Sequence, residues 1–541
     1  MMPVLNVVKR NFFRDSIQLM RLTEEAKKVP GVVDAVVAMG TDTNRRLLQQ
    51  LGLLGSEGKS AGDGDLVLAI SVSPGSNGEE VMGKVQQLVM SPPSASGVQS
   101  SGFETYHSIA SAVEHLPGAN LAIVSVPGKQ AFEPSMELLR SGINVHLFSD
   151  HVSREEEAKL KEYASSNGLL VLGPGAGTSI INGVGLGFAN AVRRGGIGIV
   201  ASAGTGLQEV SVLLDRVGLG VSQGLGVGGS DVSNEIGGLM MKRCLGLLEK
   251  DKGTKVVMIV AKTPTEKVMR GVMGFVDKSV RKPVIACFLG LDSLGKPKGR
   301  IQYRKTLHSA ASAATSISGR EATKQFKGKV SMSFDKLARM SRDLSTGLAS
   351  GQRHVRGLYS GGTLAHETLL IFRELLGEAY SNTPLSDRYA LADPTKSRRN
   401  TILDLGDEFF TAGRPHPMID STVRRLRILE EAKDPSVAEI MLDVVLGYGS
   451  SPDPGGSLIG AIAEAKREAK KNRRELIVMA HVCGTESDPQ SLSEQSEKLS
   501  KAGVVLFPTN AQMAIASALV VGGAKASASL KAKWEGLLGE G

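Results

Sequence analysis

Hydrophobic positions along the chain form short β-branched runs that alternate with helical stretches. Within the first 116 residues, "VLNVVKRNFF", "VVDAVVAMG" and "DLVLAISV" predict strands. Between them lie "DSIQLMRLTEEAKKV" and "TDTNRRLLQQLG", in which apolar residues recur near the helical period. Residues 91–102 are rich in Ser, Pro and Gly, which is typical of a loop. We therefore expect residues 1–116 to form a small α/β domain.

The same alternation continues along the rest of the chain. Strand-like runs include "NLAIVSVPG", "NVHLFSD", "GLLVLGPG", "GIGIVASAGTG", "KVVMIVAKT" and "KPVIACFLG". A Ser-, Ala- and Lys-rich stretch, 296–352, interrupts them, and the pattern resumes at "RGLYSGGTLAHETLLIFRELLG". Strands alternating with helices indicate βαβ units and parallel sheets. We expect domains at 117–192, 193–295 and 353–541, with 296–352 as a linker, and the last domain repeats the architecture of the one before it.

Composition and length narrow the class of protein. The chain has 541 residues, too many for a single core, and only 4% are aromatic, so stacking platforms for single-stranded nucleic acid are not expected. The three cysteines are far apart and lack zinc-ligand spacing, which favours a reducing compartment. We see no apolar run of the ~18 residues that a membrane helix needs and no apolar core of a secretory signal. We expect a cytoplasmic protein that binds neither membrane nor nucleic acid.

Positive charge is concentrated in one segment. The chain carries a net charge of +9, and residues 292–356 contain 14 lysines and arginines against 4 acidic residues. Such a segment is usually a solvated linker, and a contact with a partner or an anionic ligand is the alternative.

Three glycine-rich turns follow predicted strands. Where a helix begins directly after such a turn, its unpaired N–H groups and the positive end of its dipole favour an anion. Ligands of open parallel sheets also sit at the carboxyl ends of strands. Plain packing of helix on sheet is the alternative explanation for each turn. The expected phosphate- or CoA-binding residues are Gly173, Gly175, Gly177 and Thr178; Ser202, Gly204, Thr205 and Gly206; and Ser360, Gly361, Gly362 and Thr363.

The stretch "DLGDEFFTAGRPHPMID", residues 404–420, combines four carboxylates, an arginine and a histidine. Arg414 can clamp a carboxylate or phosphate in bidentate fashion, and the prolines on both sides of His416 fix the backbone around it. We predict catalytic roles for Asp407, Arg414 and His416. Asp404 and Asp420 are candidate substrate ligands, and a structural loop with an Arg–Asp ion pair is the alternative.

Asp443 lies in the predicted strand "DVVLGYG" and could face the same cleft. We therefore add it to the candidate substrate ligands, although an aspartate near a turn often has only a structural role. The remaining histidines show no ligand spacing, so no metal site is predicted.

Several of these motifs carry a resemblance to known families. The runs "VLGPGAGTSIING", "GIGIVASAGTGLQE" and "GLGVGGSD" resemble the α subunit of succinyl-CoA synthetase and related ADP-forming acyl-CoA synthetases. The runs "FRDSIQLM", "LFSDHVS", "GLYSGGTLAHE", "DLGDEFFTAGRPHPMID", "DVVLGYG" and "GTESDPQ" resemble the FdrA family, in order and over nearly the whole chain. The resemblance implies a CoA-binding Rossmann-like domain at 117–192 and two flavodoxin-like domains at 193–295 and 353–541.

The chain departs from the succinyl-CoA synthetase pattern in two respects. His308 lies where that family has its phosphorylated histidine, but in "RKTLHSAASAATS" it lacks the Gly-His-Ala motif, and we do not expect it to be phosphorylated. Lys262 lies near the place of the glutamate that steadies that histidine, and it could instead hold an anionic substrate. We also find no GxxxxGK[ST] loop, so ATP or ADP chemistry would need a partner subunit.

Three functions remain open from the sequence. The first is an acyl-CoA synthetase subunit that uses CoA and a small anionic metabolite within an oligomeric complex. The second is a carbamoyl-transfer subunit, because the FdrA family is linked with oxamate carbamoyltransferase in purine breakdown. The third is a non-catalytic scaffold of the same fold.

Overall fold

A computed structural model describes residues 3–12, 16–90, 105–290, 299–411 and 414–539. It divides the chain into two compact units. Unit 1 comprises Met1–Ala112 and Asp407–Asp420, and unit 2 comprises Val113–Gly406 and Ser421–Gly541. The predicted loop at 91–102 lies outside the described residues.

Unit 1 is built on a three-stranded antiparallel sheet of order β1-β3-β2. The run "LVLAISV" forms the central strand and is buried along its whole length, because its side chains point alternately into two apolar clusters on the two faces. The elements are β1 (Val4–Lys9), α1 (Ser16–Lys27), β2 (Val32–Met39), α2 (Asp42–Gln50), α3 (Ser56–Lys59), β3 (Leu66–Val72) and α4 (Gly78–Met90).

Unit 2 opens with a small parallel sheet of order β4-β5-β6. Its strands alternate with helices, as the sequence predicts for a Rossmann-like βαβ arrangement. Following α5 (Ile109–His115), the elements are β4 (Leu121–Val124), α6 (Phe132–Arg140), β5 (Asn144–Leu147), α7 (Arg154–Ser166) and β6 (Val171–Leu172).

A seven-stranded sheet follows, with the order β13-β12-β11-β9-β10-β7-β8. The five strands from β13 to β10 are parallel, and the β7–β8 hairpin adds an antiparallel edge. The elements are β7 (Thr178–Ile181), β8 (Val184–Gly187), β9 (Arg194–Ala201), α8 (Gly204–Arg216), β10 (Val221–Gly226), α9 (Leu239–Lys250), β11 (Val256–Ala261), α10 (Glu266–Ser279), β12 (Val284–Phe288), β13 (Ile301–Arg304) and α11 (Leu307–Ser318).

The third sheet of unit 2 has five parallel strands in the order β15-β14-β16-β17-β18. The elements are α12 (Arg320–Lys329), α13 (Phe334–Ser345), β14 (His354–Tyr359), α14 (Gly362–Leu375), β15 (Thr401–Asp404), α15 (Glu408–Thr411), α16 (Thr422–Glu431), β16 (Val437–Val445), α17 (Gly456–Lys471), β17 (Ile477–Cys483), α18 (Leu492–Lys501), β18 (Val505–Phe507) and α19 (Asn510–Leu538).

The two large sheets share one topology. Counted from β9 in the first and from β14 in the second, the parallel strands of both run in the order 2-1-3-4-5, which is the flavodoxin-like order. The expected duplication, and the predicted α/β class with two flavodoxin-like domains, are confirmed. In this topology the switch point lies between strands 1 and 3, where ligands bind at the carboxyl ends.

The segment predicted to be a basic linker is folded. Residues 299–352 contain β13 and the helices α11, α12 and α13, while residues 296–298 lie outside the described part. Helix α12 buries Phe326 against a cluster that includes Leu213 and Ala311, while Lys324 and Lys327 are exposed. The linker interpretation was wrong because the positive charge belongs to the solvated face of amphipathic helices.

Helix α19 is the one helix in the described ranges whose length and composition would allow it to cross a membrane. Of its most apolar window, 56% is buried inside the protein, and a core helix meets the same criteria of length and composition. Gly523 breaks the helix with a φ of 53°, a left-handed conformation that glycine adopts readily.

Candidate functional site

The three glycine turns predicted from the sequence meet in unit 2. The backbone N–H of Thr363, at the start of α14, donates to Thr205 Oγ1 at the start of α8, at 3.2 Å. A Cβ added at Gly204 would lie 3.6 Å from Thr178 Oγ1 in the turn after β6. The carboxyl ends of β6, β9 and β14 therefore border one region of the protein.

The turn at 172–179 follows the end of β6, but it leads into β7 and not into a helix. The N–H groups of Gly175, Ala176 and Gly177 already donate to backbone carbonyl oxygens, at 2.8 to 3.2 Å. Gly173 comes so close to the carbonyl of Leu147 that a Cβ would lie 2.2 Å from that oxygen. The turn is therefore a tightly packed loop beside α8. It does not supply a helix N-terminus, although its resemblance to the other two turns suggested one.

The turn before α14 already holds an anion that belongs to the protein. Asp443 of β16 accepts hydrogen bonds from Ser360 N at 2.8 Å, Ser360 Oγ at 3.0 Å and Gly361 N at 2.7 Å. Its carboxylate is fully buried and pairs with Arg424 at 3.0 Å. Asp443 was predicted to bind substrate, whereas in the structure its carboxylate neutralises the start of α14.

The corresponding turn before α8 has no such group. Tyr359 and Ala201 are the last residues of β14 and β9, and by strand register Val260 occupies in the first sheet the place of Asp443 in the second. Ser202 Oγ is buried and has no hydrogen-bond partner in the described residues. The first turn of α8 contains no acidic residue. Among the described residues, the N–H groups of residues 204–206 have no hydrogen-bond acceptor. One helix start is thus neutralised internally, and the other presents unused donors.

Charged side chains border the start of α14. A Cβ added at Gly362 would lie 2.2 Å from Asp404 Oδ2 and 3.0 Å from Lys262 Nζ. Asp404 ends β15 and is buried, and its other carboxylate oxygen accepts from Gly406 N at 3.0 Å. The structure therefore brings together Lys262 and Asp404, two residues that the sequence proposed as substrate ligands.

His366 joins this group and was missed in the sequence. It lies on α14 one turn after Gly362, and its Nε2 is 3.2 Å from Thr263 Oγ1. Burial, together with the charges of Lys262 and Arg373, lowers the pKa of His366 to about 3. The i,i+4 spacing from Gly362 was a signal that could have placed it on the same helix face.

His308 lies in the interior. It is completely buried, its ring packs edge-on against Phe326 with centroids 5.0 Å apart, and its Nδ1 is 3.2 Å from Thr509 Oγ1. Burial lowers its pKa to about 3. The buried ring exposes no nitrogen to solvent, and the expectation that His308 is not phosphorylated stays a prediction.

The stretch 404–420 is divided between the two units. Asp404 belongs to unit 2, whereas residues 407–420 belong to unit 1. Arg414 is buried, its Nε donates to Asn44 Oδ1, and burial lowers its pKa to about 10 while Asp420 acts against that change. His416 Nδ1 accepts from the N–H of Met418 at 3.2 Å.

Asp407 has a local partner as well. Its carboxylate accepts from the N–H of Phe409 at 3.2 Å, and its carbonyl oxygen accepts from Phe410 and Thr411, so that it begins α15. Within unit 1 these contacts explain Asp407, Arg414 and His416 without a ligand. The catalytic roles expected for them stay predictions.

One buried group in the described residues has the donor types of a metal site. Carboxylate, imidazole and thiol atoms of Glu209, His481 and Cys483 lie within 4.8 Å of one another. His481 Nε2 is already 2.7 Å from Glu209 Oε2, and burial raises the pKa of the Cys483 thiol well above its usual value. Arg216 donates to the carbonyl oxygens of Val482 and Gly484 beside the thiol. A protonated thiol next to a guanidinium does not suit a metal cation.

Two protein-family models match parts of the chain. Residues 358–520 match the family model described as CoA-ligase, and residues 2–104 match the model described as AllF, heavy metal-associated domain. The region 2–104 contains no cysteine, so a thiolate metal site cannot form within it.

The chain is similar to several curated proteins. It is 42% identical to the uncharacterized protein YahF of Escherichia coli (strain K12), over 93% of this chain and 96% of that protein. It is 27% identical to the succinate–CoA ligase [ADP-forming] subunit alpha of Aquifex aeolicus (strain VF5), over 37% of this chain and 65% of that protein. It is 28% identical to the ADP-forming sulfoacetate–CoA ligase subunit SauD of Bilophila wadsworthia (strain 3_1_6), over 37% of this chain and 68% of that protein. The chain belongs to the FdrA-like family that includes YahF, and its architecture is like that of the succinyl-CoA synthetase α subunit.

Proposed function

We propose that this chain is the CoA-ligase subunit of an ADP-forming type of acyl-CoA synthetase, and that it holds a phosphate or acyl phosphate at the start of α8. The observation that carries the proposal is the set of unused donors there, namely the hydroxyl of Ser202 and the N–H groups of residues 204–206. A buried hydroxyl without a partner costs free energy, and a phosphate oxygen would relieve that cost.

The contrast between the two helix starts strengthens the proposal. Each helix start carries the equivalent of about half a positive charge, and the two are joined by the Thr363–Thr205 hydrogen bond. The carboxylate of Asp443 supplies a negative charge at the start of α14. At the start of α8 the corresponding residue is Val260, whose side chain carries no charge. In this proposal, an external anion neutralises the partial positive charge at the start of α8.

CoA and a nucleotide-binding partner follow from the same proposal. The Rossmann-like sheet ends in the turn at 172–179, which borders Gly204, so CoA bound there would present its thiol near the anion. Two of the similar proteins, the subunit alpha from Aquifex aeolicus and SauD from Bilophila wadsworthia, are named as subunits of ADP-forming CoA ligases. Since the chain has no GxxxxGK[ST] loop, a partner subunit supplies the nucleotide site in this proposal.

Carbamoyl transfer is the second candidate, favoured by the enclosure of His308. The ring of His308 is buried, and Lys262 follows β11. The site can therefore receive the transferred group directly from a mixed anhydride of phosphate, without a phosphohistidine intermediate. Carbamoyl phosphate is such an anhydride, and its phosphate would use the same donors at α8. A scaffold without chemistry would have no use for unsatisfied donors.

A thermal-shift panel tests the proposal, with phosphate, CoA, acetyl-CoA, carbamoyl phosphate and oxamate as ligands. We expect phosphate to raise the melting temperature, and Gly204→Ala to abolish that rise because a methyl group would enter the space in front of the donors. The nearest heavy atom to that methyl is 3.6 Å away, so the variant should fold.

Gly274→Ala is the matched control, since Gly274 is exposed on α10 and has nothing within 4 Å of an added Cβ. An additional shift with CoA supports the ligase, and one with carbamoyl phosphate or oxamate supports carbamoyl transfer. A phosphate response that survives both Gly204→Ala and Ser202→Ala would show that the anion does not bind at α8.

A further inference from the structure

A long insertion distinguishes the second large sheet from the first. In the first sheet, residues 217–220 connect α8 to β10, whereas residues 376–400 connect α14 to β15 at the corresponding place in the second. A segment of that length without helices or strands of its own is usually functional or disordered. This insertion is described along its whole length, and its one regular element is the 3₁₀ turn Asp387–Tyr389.

Buried ion pairs hold the insertion against the domain. Arg356 of β14 is buried, pairs with Glu431 at 2.6 Å and donates to the carbonyl oxygen of Arg399. Arg427 of α16 is also buried, pairs with the same glutamate and donates to the carbonyl oxygen of Thr395. The second half of the insertion is therefore fixed by charged side chains from the interior.

Two tyrosines and two arginines of the insertion form a row that we call the Arg–Tyr stack: Arg398, Tyr380, Tyr389 and Arg388. The two tyrosine rings pack edge to face, with centroids 5.4 Å apart. Arg398 Cζ lies 4.9 Å from the centroid of the Tyr380 ring, and Arg388 Cζ lies 5.7 Å from that of Tyr389. Cation–π contacts of this kind orient a guanidinium and leave the N–H groups at its edge free to donate.

Both guanidiniums of the Arg–Tyr stack are exposed, and neither has an ion pair or a hydrogen-bond acceptor within the described ranges. The acidic residues of the insertion do not neutralise them. Glu378 accepts from Ser386 Oγ at 2.8 Å, and Asp393 pairs with Lys396 at 3.5 Å. Asp387 is exposed and forms no ion pair with either arginine. The stack therefore presents two oriented positive charges to solvent.

We propose that the Arg–Tyr stack is a docking surface for an acidic segment of a partner protein. The planar fork of a guanidinium binds a carboxylate through two parallel hydrogen bonds, and two forks that are already oriented lose little entropy on binding. A single-stranded nucleic acid fits this surface less well, because it binds by stacking bases on free aromatic faces. Here the arginines cover one face of each ring, and the rings pack on each other. The surface goes beyond the proposed function, which does not use the insertion.

Fluorescence anisotropy of a labelled hexaglutamate peptide, titrated with the full chain at low ionic strength, tests the proposal. We expect the peptide to bind and its affinity to fall as salt is added, because exposed charges are screened. Hexaglutamine with the same label should not bind. Absence of hexaglutamate binding overturns the proposal. Tighter binding of a single-stranded oligonucleotide of equal charge would overturn the assignment to an acidic protein segment.

Paired substitutions assign the binding to the Arg–Tyr stack. Arg388→Gln combined with Arg398→Gln should weaken hexaglutamate about tenfold. Arg339→Gln combined with Arg342→Gln is the matched control, because it removes two exposed arginines of α13 and leaves the stack intact. Equal weakening by the two pairs would show attraction by net charge alone and would overturn the proposal.

Substitutions of Tyr389 test whether the ring positions Arg388. Tyr389→Phe keeps the ring and should keep the affinity for hexaglutamate, whereas Tyr389→Leu frees the guanidinium and should weaken the peptide about threefold. Unchanged affinity in Tyr389→Leu, at an unchanged melting temperature, contradicts the role of the stack. The phosphate response separates this proposal from the proposed function: its failure would refute the anion site at α8 and leave the docking surface standing.

Discussion

Asp443→Asn tests whether the carboxylate of Asp443 is the resident anion of α14. Three hydrogen bonds of 2.7 to 3.0 Å from Ser360 and Gly361 end on it, together with the ion pair to Arg424, and the site is fully buried. Asparagine keeps the shape but leaves the guanidinium of Arg424 buried without its counter-charge. Breaking a buried pair in this way costs about 3–5 kcal/mol, and we expect a loss of that size from the free energy of unfolding of unit 2.

Urea unfolding followed by tryptophan fluorescence measures this loss, because Trp534 is the only tryptophan and lies on α19 in unit 2. Asp453→Asn is the matched control. Its carboxylate is half exposed, accepts from Gly456 N at 3.3 Å and pairs with Lys498, so it should cost only about 0.5–1 kcal/mol. A loss in Asp443→Asn no larger than in the control would refute the assignment of the resident anion.

Three further predictions concern stability and reactivity. Burial raises the pKa of Glu439 to about 8, so at pH 7 its carboxyl is protonated in the folded state and ionised in the unfolded state. This difference destabilises the fold as pH rises from about 4.5 to 8, so Glu439→Gln should stabilise unit 2 by up to about 3 kcal/mol at pH 7. The gain should vanish at pH 4.5 in the same urea assay, and an equal gain at both pH values would contradict the assignment. Gly362→Ala should lower the melting temperature by the equivalent of about 1–3 kcal/mol, since its Cβ would lie 2.2 Å from Asp404 Oδ2, whereas Gly204→Ala should change it little. All three cysteines are buried and burial raises each thiol pKa, so a disulfide thiol reagent should label them only after unfolding; rapid labelling of the folded protein would contradict their burial.

Local pattern was enough to predict the repeated strand–turn–helix units and the two glycine turns that begin α8 and α14. It could not reveal what Asp443 does, because only the register of β14 against β16 brings its carboxylate under Ser360. In the sequence, an aspartate in an apolar strand looked like a substrate ligand. The start of α14 has an internal carboxylate, and the start of α8 has none. This difference follows only from the strand register, which puts Val260 in the first sheet at the position of Asp443 in the second.

Contacts between distant parts of the chain were equally hidden. Arg414 and Asn44 are separated by 370 residues, and nothing local indicates that residues 407–420 belong with the N-terminal unit. The sequence interpretation grouped Arg414 with Asp404 because they are close along the chain. The helices α12 and α13 were also missed, because basic residues dominate them and their few apolar anchors, such as Phe326, are widely spaced.

Diffraction from crystals of the full chain soaked in selenate tests the central claim most directly. Selenate resembles phosphate in shape, and selenium can be located by its anomalous signal. We predict a selenium peak whose oxygens lie within hydrogen-bonding distance of Ser202 Oγ and the N–H groups of residues 204–206, and no peak at the turn that Asp443 already fills. A peak at Ser360 and Gly361, or an empty α8 start beside selenate bound elsewhere, would contradict the account.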